Sequence, residues 1–586
     1  MTANISRISN LSNPNVQTTL KATDNLNREL PAAESVGETK PNKQVGLFYF
    51  LWLGDGEHDD DRKRIISPLD VTKILLADAE AGYKPDSNVW GKYGTSHHWG
   101  EALFGYYHSR DEWVVRRHIE MLTHADIDFL FFDTTNAQIY EENAKLVMKW
   151  LEFYRNEGWN TPKVVFYTNT ESGKTVEKIY EAVYKPEYMK GSWYCADGKP
   201  LIIAQSIDCS EEMRKYFAIR EAQWPNEPSK AAGWPWMDFE RPQRVFYNEK
   251  NEAEIINVSV AQHPQIFHGD SAMYGETANR GRSFHDGKED MGKKAYLYGY
   301  NFKEQWEHAI ECDVPFVLIT GWNEWIMGRW NGSRPDRPIG FVDCANVEYS
   351  RDCEPMKGGY SDNYYMQMIQ YIRKYKGVKP IATEKSMITI DITGGFEQWD
   401  CVEKEYRDFS NGALPRNCTG YGGIYRDNTG NNEIILSKCA HDGENIYFYA
   451  KTSKDITPCE YNGMTWLNLY IKVNEDGKNT AYIRENWHGY NYIANYFVLS
   501  ENITTLAEYG DGEFEIMSGL PYKLKNNEFM ICIPKEKLKI KDKDIFEIEF
   551  KWADGKTRFE SIDDLYTKGD CAPIGRLNYV FKAVNI

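Results

Sequence analysis

The chain has 586 residues, enough for two or three domains, because single hydrophobic cores stop growing near roughly 250–300 residues. Apolar and charged contents of 41% and 27% are those of a folded soluble protein, and a formal net charge of -18 argues against a nucleic-acid partner, which needs a clustered basic surface. A neutral or cationic partner suits this field, and an anionic polymer stays open only through a local pocket built from Arg282, Arg329 and Arg351.

The 39 Tyr, 26 Phe and 18 Trp make 14% of the chain. Such rings pair an apolar face with a polar edge, which suits carbohydrate contact, although β-rich cores also consume them. The eleven cysteines are scattered, with no Cys-x-x-Cys pair and no zinc spacing, so isolated thiols in a reducing compartment are expected. The N-terminus lacks the apolar core of a signal peptide, and no apolar run approaches the roughly 20 residues that span a bilayer. Cytoplasmic residence is the expectation, or secretion if a leader has been removed; oligomeric state is not legible.

Residues 1–43 are polar and aperiodic, and are predicted to form an arm against the first domain or a disordered lead. From Val45, short runs apolar on both faces alternate with amphipathic stretches. The runs are Val45–Trp52, Ile127–Asp133, Lys163–Asn169, Pro200–Ala204, Ile255–Val260 and Pro315–Thr320; helices are predicted over Glu112–Ala125, Glu141–Glu157, Phe302–Glu311 and Asn363–Arg373. This pattern predicts a parallel sheet covered on both sides. With two weaker strands near Trp236 and Phe341 it predicts a TIM-like (β/α)8 barrel over 44–378; a doubly wound open sheet is the alternative, but the turn after the first strand lacks a nucleotide fingerprint. A linker over 379–385 leads to period-two segments, clearest in Ile545–Trp552, and these predict an all-β sandwich over 386–586.

Active sites of such barrels gather at the C-terminal ends of the strands, which directs attention to polar residues that end apolar runs. Glycoside hydrolysis needs two carboxylates flanking one bond, one of them able to donate a proton. Glu324, between Trp322 and Trp325, is the leading catalytic candidate; the alternative is a carboxylate paired with a neighbouring arginine such as Arg329. Asp238 is the leading partner, followed by Glu240 and Asp133, the last of which also suits a helix cap. Trp322, Asn323, Trp325, His97, His98, Trp99 and Glu101 are candidate sugar contacts. Tyr49, Trp52, Asn169, Trp236, Asn257, His263 and Arg282 are further candidates for the cavity or its rim. Adjacent histidines do not have the one-sided spacing of a helical metal pair, so no catalytic metal or cofactor is expected. No Gly-x-Ser-x-Gly elbow or His-Glu-x-x-His helix is present, which disfavours esterase and metalloprotease chemistry.

The stretch Thr320-Gly-Trp-Asn-Glu-Trp-Ile-Met-Gly328 resembles the Thr-x-Trp/Phe-Asn-Glu-Trp-x-Glu-Gly signature of WbsX-like proteins and glycoside hydrolase families 71 and 99. That resemblance implies a retaining endo-hydrolase of α-mannans or mannosides in which both signature glutamates act. The first falls on Glu324. The second falls on Met327, whose thioether carries no proton, so either another carboxylate supplies that function or the barrel is a noncatalytic glycan binder. Gly395–Trp399, Asp442–Tyr449, Trp487–Tyr492 and Gly569–Tyr579 resemble family 9 carbohydrate-binding modules and DOMON-type sandwiches. This second resemblance implies a sugar clamp, for which Trp466 and Trp487 are candidates, while Asp and Asn clusters make a structural calcium conceivable.

Overall fold

The computed structural model describes residues 19–54, 69–262, 273–274, 279–341, 344–457, 467–473, 489–494, 504–510 and 513–585. The described residues divide into two compact units, one built on 40–376 with 418–425, the other on 19–39, 377–417 and 426–585.

The first unit is a nearly closed (β/α) barrel. Its eight parallel strands, in chain order, are β1 Gln44–Tyr49, β2 Phe129–Thr134, β3 Lys163–Thr168, β4 Lys199–Ala204, β5 Ala218–Gln223, β6 Gly233–Pro235, β7 Ala253–Ser259 and β8 Phe316–Thr320. Each pairs with the next from β1 to β6, and β8 joins β7 to β1. The seam between β6 and β7 is filled by the short strand Val245–Tyr247, antiparallel to β7, and Ala232 N–H donates to the Tyr247 carbonyl there at 2.9 Å.

Six of these strands coincide with the predicted apolar runs, and β6 with the weak one near Trp236. Phe341 does not supply the eighth; it ends an antiparallel hairpin, Ile326–Arg334 with Arg337–Phe341. The missing strand is β5, Ala-Ile-Arg-Glu-Ala-Gln, which breaks the apolar rule because its charge is neutralised inside the fold. Arg220 pairs with Glu254 at 2.8 Å, and Trp234 donates its indole N–H to the same carboxylate at 2.7 Å.

Aromatic rings fill the barrel. Phe48, Phe131 and Tyr167 meet at centroid distances of 5.4 to 6.2 Å, and Trp234 packs on Phe316 at 5.0 Å. Gly46 is required on β1, since a Cβ there would stand 2.1 Å from the Phe129 ring. The helices Glu112–His124, Glu141–Asn156, Tyr300–Cys312 and Asn363–Lys376 fall where the apolar periodicity predicted them.

In the second unit, one sheet holds Ile545–Asp554, Asn468–Val473, Tyr492–Ala494, Thr504–Gly510, Glu513–Leu520 and Tyr579–Val584 among its eight strands. The other holds Tyr406–Arg407, Ile434–His441, Asn445–Thr452, Glu528–Pro534 and Tyr522–Lys525. Phe550 of the first sheet packs on Phe448 of the second at 5.4 Å, and the Trp552 indole donates to Ser437 Oγ at 2.9 Å, as in a sandwich. The predicted inner face, Phe546, Ile548, Phe550 and Trp552, is buried. The opposite face is also covered: Glu549 pairs with Lys472 at 3.1 Å and accepts from Asn578 Nδ2 at 2.9 Å. The lead segment joins this unit through Lys21 N–H to the Asn578 carbonyl, 3.0 Å. The ten described cysteines are free thiols, and no helix among the described residues is long and apolar enough to cross a membrane.

Candidate active site

β8 is apolar and fully buried as far as Thr320, after which Gly321-Trp-Asn-Glu-Trp325 leaves the sheet at the C-terminal end of the barrel. Phe48 of β1 accepts the Trp322 N–H at 2.9 Å, and Ser350-Arg-Asp-Cys-Glu354 runs alongside. Gly321 N–H donates to the Arg351 carbonyl (2.8 Å), Cys353 N–H to Gly321 (3.0 Å) and Glu354 N–H to Trp322 (3.0 Å).

Every residue of the Asn323–Trp325 turn is tied down. Asn323 brackets the Phe50 backbone, accepting its N–H at 2.9 Å and donating to its carbonyl at 3.1 Å. Glu324 donates its N–H to Asp352 Oδ1 at 2.6 Å, its carbonyl accepts the Trp99 indole N–H at 2.8 Å, and its carboxylate is ion-paired with the buried Arg351 guanidinium. The predicted arginine partner, Arg329, instead donates to the Gly91 and Pro85 carbonyls. The Trp325 indole N–H donates to Glu354, which also accepts from Tyr107 O–H at 2.7 Å and meets His118 Nε2 at 2.9 Å; His118 Nδ1 meets Tyr49 O–H at 2.9 Å.

Electrostatics follow from this burial. Desolvation pushes the Asp352 carboxyl up to about 6, against the opposing pull of the Glu324 N–H and of Arg282 and Arg351. His97 and His98 are pushed down to about 4 and about 3, chiefly by burial, so both rings are neutral near pH 7. His97 donates from Nδ1 to the Thr95 carbonyl at 2.8 Å, and His98 sits edge-on to Tyr106 and Tyr421 at 4.8 and 4.7 Å.

The predicted site residues separate into three groups. Glu324, Asn323, Trp99 and Trp236 gather at the end of β8, with Trp236 under the Arg351 guanidinium at 5.0 Å. Trp322 and Trp325, predicted to shape sugar subsites, are instead buried packing groups. Trp322 meets His118 and Tyr365 at 5.5 and 6.0 Å, and Trp325 stacks on Trp99 at 4.3 Å. Tyr49 turns outward to His118. Asn257 is consumed by the Trp236 and Leu318 carbonyls and Thr320 Oγ1, and Arg282 by the Val347 and Asp352 carbonyls and Ser350 Oγ.

The third group lies in turns. Asp238 is buried and wrapped by Arg244, accepting its backbone N–H at 2.7 Å and guanidinium hydrogens at 2.8 to 3.2 Å. Glu240 is exposed, Asp133 accepts the Thr135 N–H at 3.0 Å, Asn169 accepts from Gln205 Nε2 at 3.0 Å, and Trp52 is half-buried. Glu101 pairs with Lys73 and Lys357 at 2.8 and 2.9 Å. His263, Trp466 and Trp487 lie outside the described residues. Sequence reasoning missed Asp352, Glu354, His118 and Tyr107; the one signal was the dense charge of Arg351-Asp-Cys-Glu354, from which only Arg351 was singled out.

No protein-family model and no curated protein matches this chain. Among solved structures, the GH99 endo-α-mannosidase from Bacteroides thetaiotaomicron is similar over 57% of this chain and 98% of its own, at 13% identity and a TM-score of 0.34. Its complex with bis-tris propane is similar over 57% and 97%, at 14% identity and a TM-score of 0.32. Likenesses of this size carry no weight in assigning chemistry.

Proposed function

We propose that the barrel is a glycoside hydrolase acting on a poly- or oligosaccharide, with Glu324 as a reacting carboxylate. The observation that carries this reading is the rigid placement of Glu324, 5% exposed, at the C-terminal end of β8. Its backbone, its carboxylate and both neighbouring side chains are fixed by Asp352, Trp99, Arg351, Phe50 and Glu354. A carboxylate held this firmly at the catalytic end of a barrel meets the positional demand of acid–base chemistry on a bound sugar. The Gly321-Trp-Asn-Glu-Trp325 motif supports assignment to the WbsX-like and family 99 and 71 group, and α-mannans head the substrates to try. A sandwich resembling family 9 modules fits a carbohydrate-binding role.

A second reading, a noncatalytic glycan binder, is favoured by Met327. It is 2% exposed and sits opposite His97 in the strand pair, so the second signature position holds a buried thioether. Reducing-end release from a polysaccharide panel separates the two. The hydrolase reading expects cleavage by the wild type and a loss of about 100-fold or more in Glu324→Gln, the scale of a lost acid–base group. Equal cleavage by the variant removes Glu324 from the reaction; binding without cleavage by the wild type establishes the second reading.

A further inference from the structure

Trp330 is the exposed tryptophan among the described residues, at 41%, and it stands on the strand Ile326–Arg334 that leaves the Glu324 turn. Strand alternation turns Met327 and Arg329 into the interior and Trp330 outward. Two glycines clear its ring. Gly340 is its partner across the hairpin, so no side chain stands opposite. A Cβ on Gly328 would lie 3.3 Å from the Trp330 indole nitrogen, so the ring lies back along the strand toward Glu324.

A second exposed ring completes the arrangement. Tyr93 is 55% exposed and meets Trp330 edge to face, with centroids 5.5 Å apart and planes at 87°. The backbone fixes the pair, because Gly94 N–H donates to the Arg329 carbonyl at 3.1 Å and Arg329 N–H to the Thr95 carbonyl at 3.2 Å.

We infer that Trp330 and Tyr93 form an outer sugar subsite on which a pyranose ring of a glycan chain stacks while its scissile bond lies at Glu324. The inference rests on the hydrolase reading and extends it to a substrate of several sugar units. Ile326 to Trp330 spans about 13 Å of extended strand, more than one ring. A pyranose offers an apolar C–H face rimmed by hydroxyls, and an open indole with a perpendicular phenol beside it presents the matching apolar face and polar edges. Continuity of one strand from the reacting carboxylate to the platform favours a chain-like occupant over a small sugar held at Glu324 alone.

The test compares wild type, Trp330→Ala and Gly328→Val on soluble α-mannan, dextran, xyloglucan and arabinogalactan, and on the aryl glycoside of whichever sugar is cleaved. Trp330→Ala is expected to raise KM for the polymer about tenfold, equivalent to roughly 1.4 kcal/mol of stacking, with kcat and aryl glycoside turnover unchanged. Gly328→Val, which keeps the indole but displaces it, is expected to reproduce that split. Equal KM for polymer in wild type and Trp330→Ala, or an equal loss on polymer and aryl glycoside, overturns the subsite while leaving the hydrolase reading intact. A wild type that cleaves none of the panel or its aryl glycosides overturns both.

Discussion

Glu324 and Asp238 both follow short apolar strands at the same end of one barrel, yet their surroundings differ in kind. The Asp238 carboxylate is held mainly by Arg244, which supplies its backbone N–H and three guanidinium contacts, with the Glu240 N–H donating to Oδ1 at 3.4 Å. Glu324 has its fixings spread over its backbone, its neighbours and one guanidinium, and those fixings orient the turn as much as the carboxylate. A carboxylate at a strand end is therefore a candidate by position, and what the distribution of its partners means for its role is what the variants Glu324→Gln and Asp238→Asn test.

The largest expected effect on stability comes from Glu354, which shapes the Glu324 turn without belonging to it. Glu354→Ala leaves the Tyr107, Trp325 and His118 donors buried without their acceptor, and a loss of about 5 kcal/mol in urea unfolding is expected. Asp238→Asn breaks the Arg244 clamp and is expected to cost about 3 kcal/mol, read as a lowered Tm, with turnover per folded molecule preserved. If turnover collapses while Tm holds, Asp238 belongs to the reaction and the contrast with Glu324 fails.

Asp352 sharpens the contrast through pH. Its folded pKa, about 6, lies above its ordinary value of 3.8, so the folded state holds the proton more tightly and stability falls as pH rises through that window. Asp352→Asn retains an acceptor for the Glu324 N–H and removes this titration. Relative to wild type it is expected to gain on the order of 2 kcal/mol between pH 4 and pH 7. Parallel stability profiles for the two proteins would contradict the buried-acid account. The smallest effect belongs to Asp133, where loss of the Thr135 turn bond in Asp133→Ala is expected to cost about 1 kcal/mol and leave turnover unaltered.

Much of the barrel was legible because parallel strands buried on both faces must be continuously apolar, and six of eight announce themselves that way. β5 did not, because Arg220 is matched by Glu254 from a strand distant in sequence. The candidate site was legible as a position, Glu324, but not as a constellation. The residues that secure it, Arg351, Asp352 and Glu354, arrive from a segment without periodicity, and their roles exist only once that segment lies beside Gly321–Glu324. Flanking tryptophans misled for a related reason: aromatic character marks sugar contact and core packing alike, and here Trp322 and Trp325 turn inward while Trp330 faces out.

The central claim is tested most directly by turnover of Glu324→Gln and Asp238→Asn on a polysaccharide that the wild type cleaves, each rate normalised to folded protein. The account predicts a loss of about 100-fold or more for Glu324→Gln and a rate close to wild type for Asp238→Asn. The reverse order, or an undiminished rate in Glu324→Gln, would contradict it.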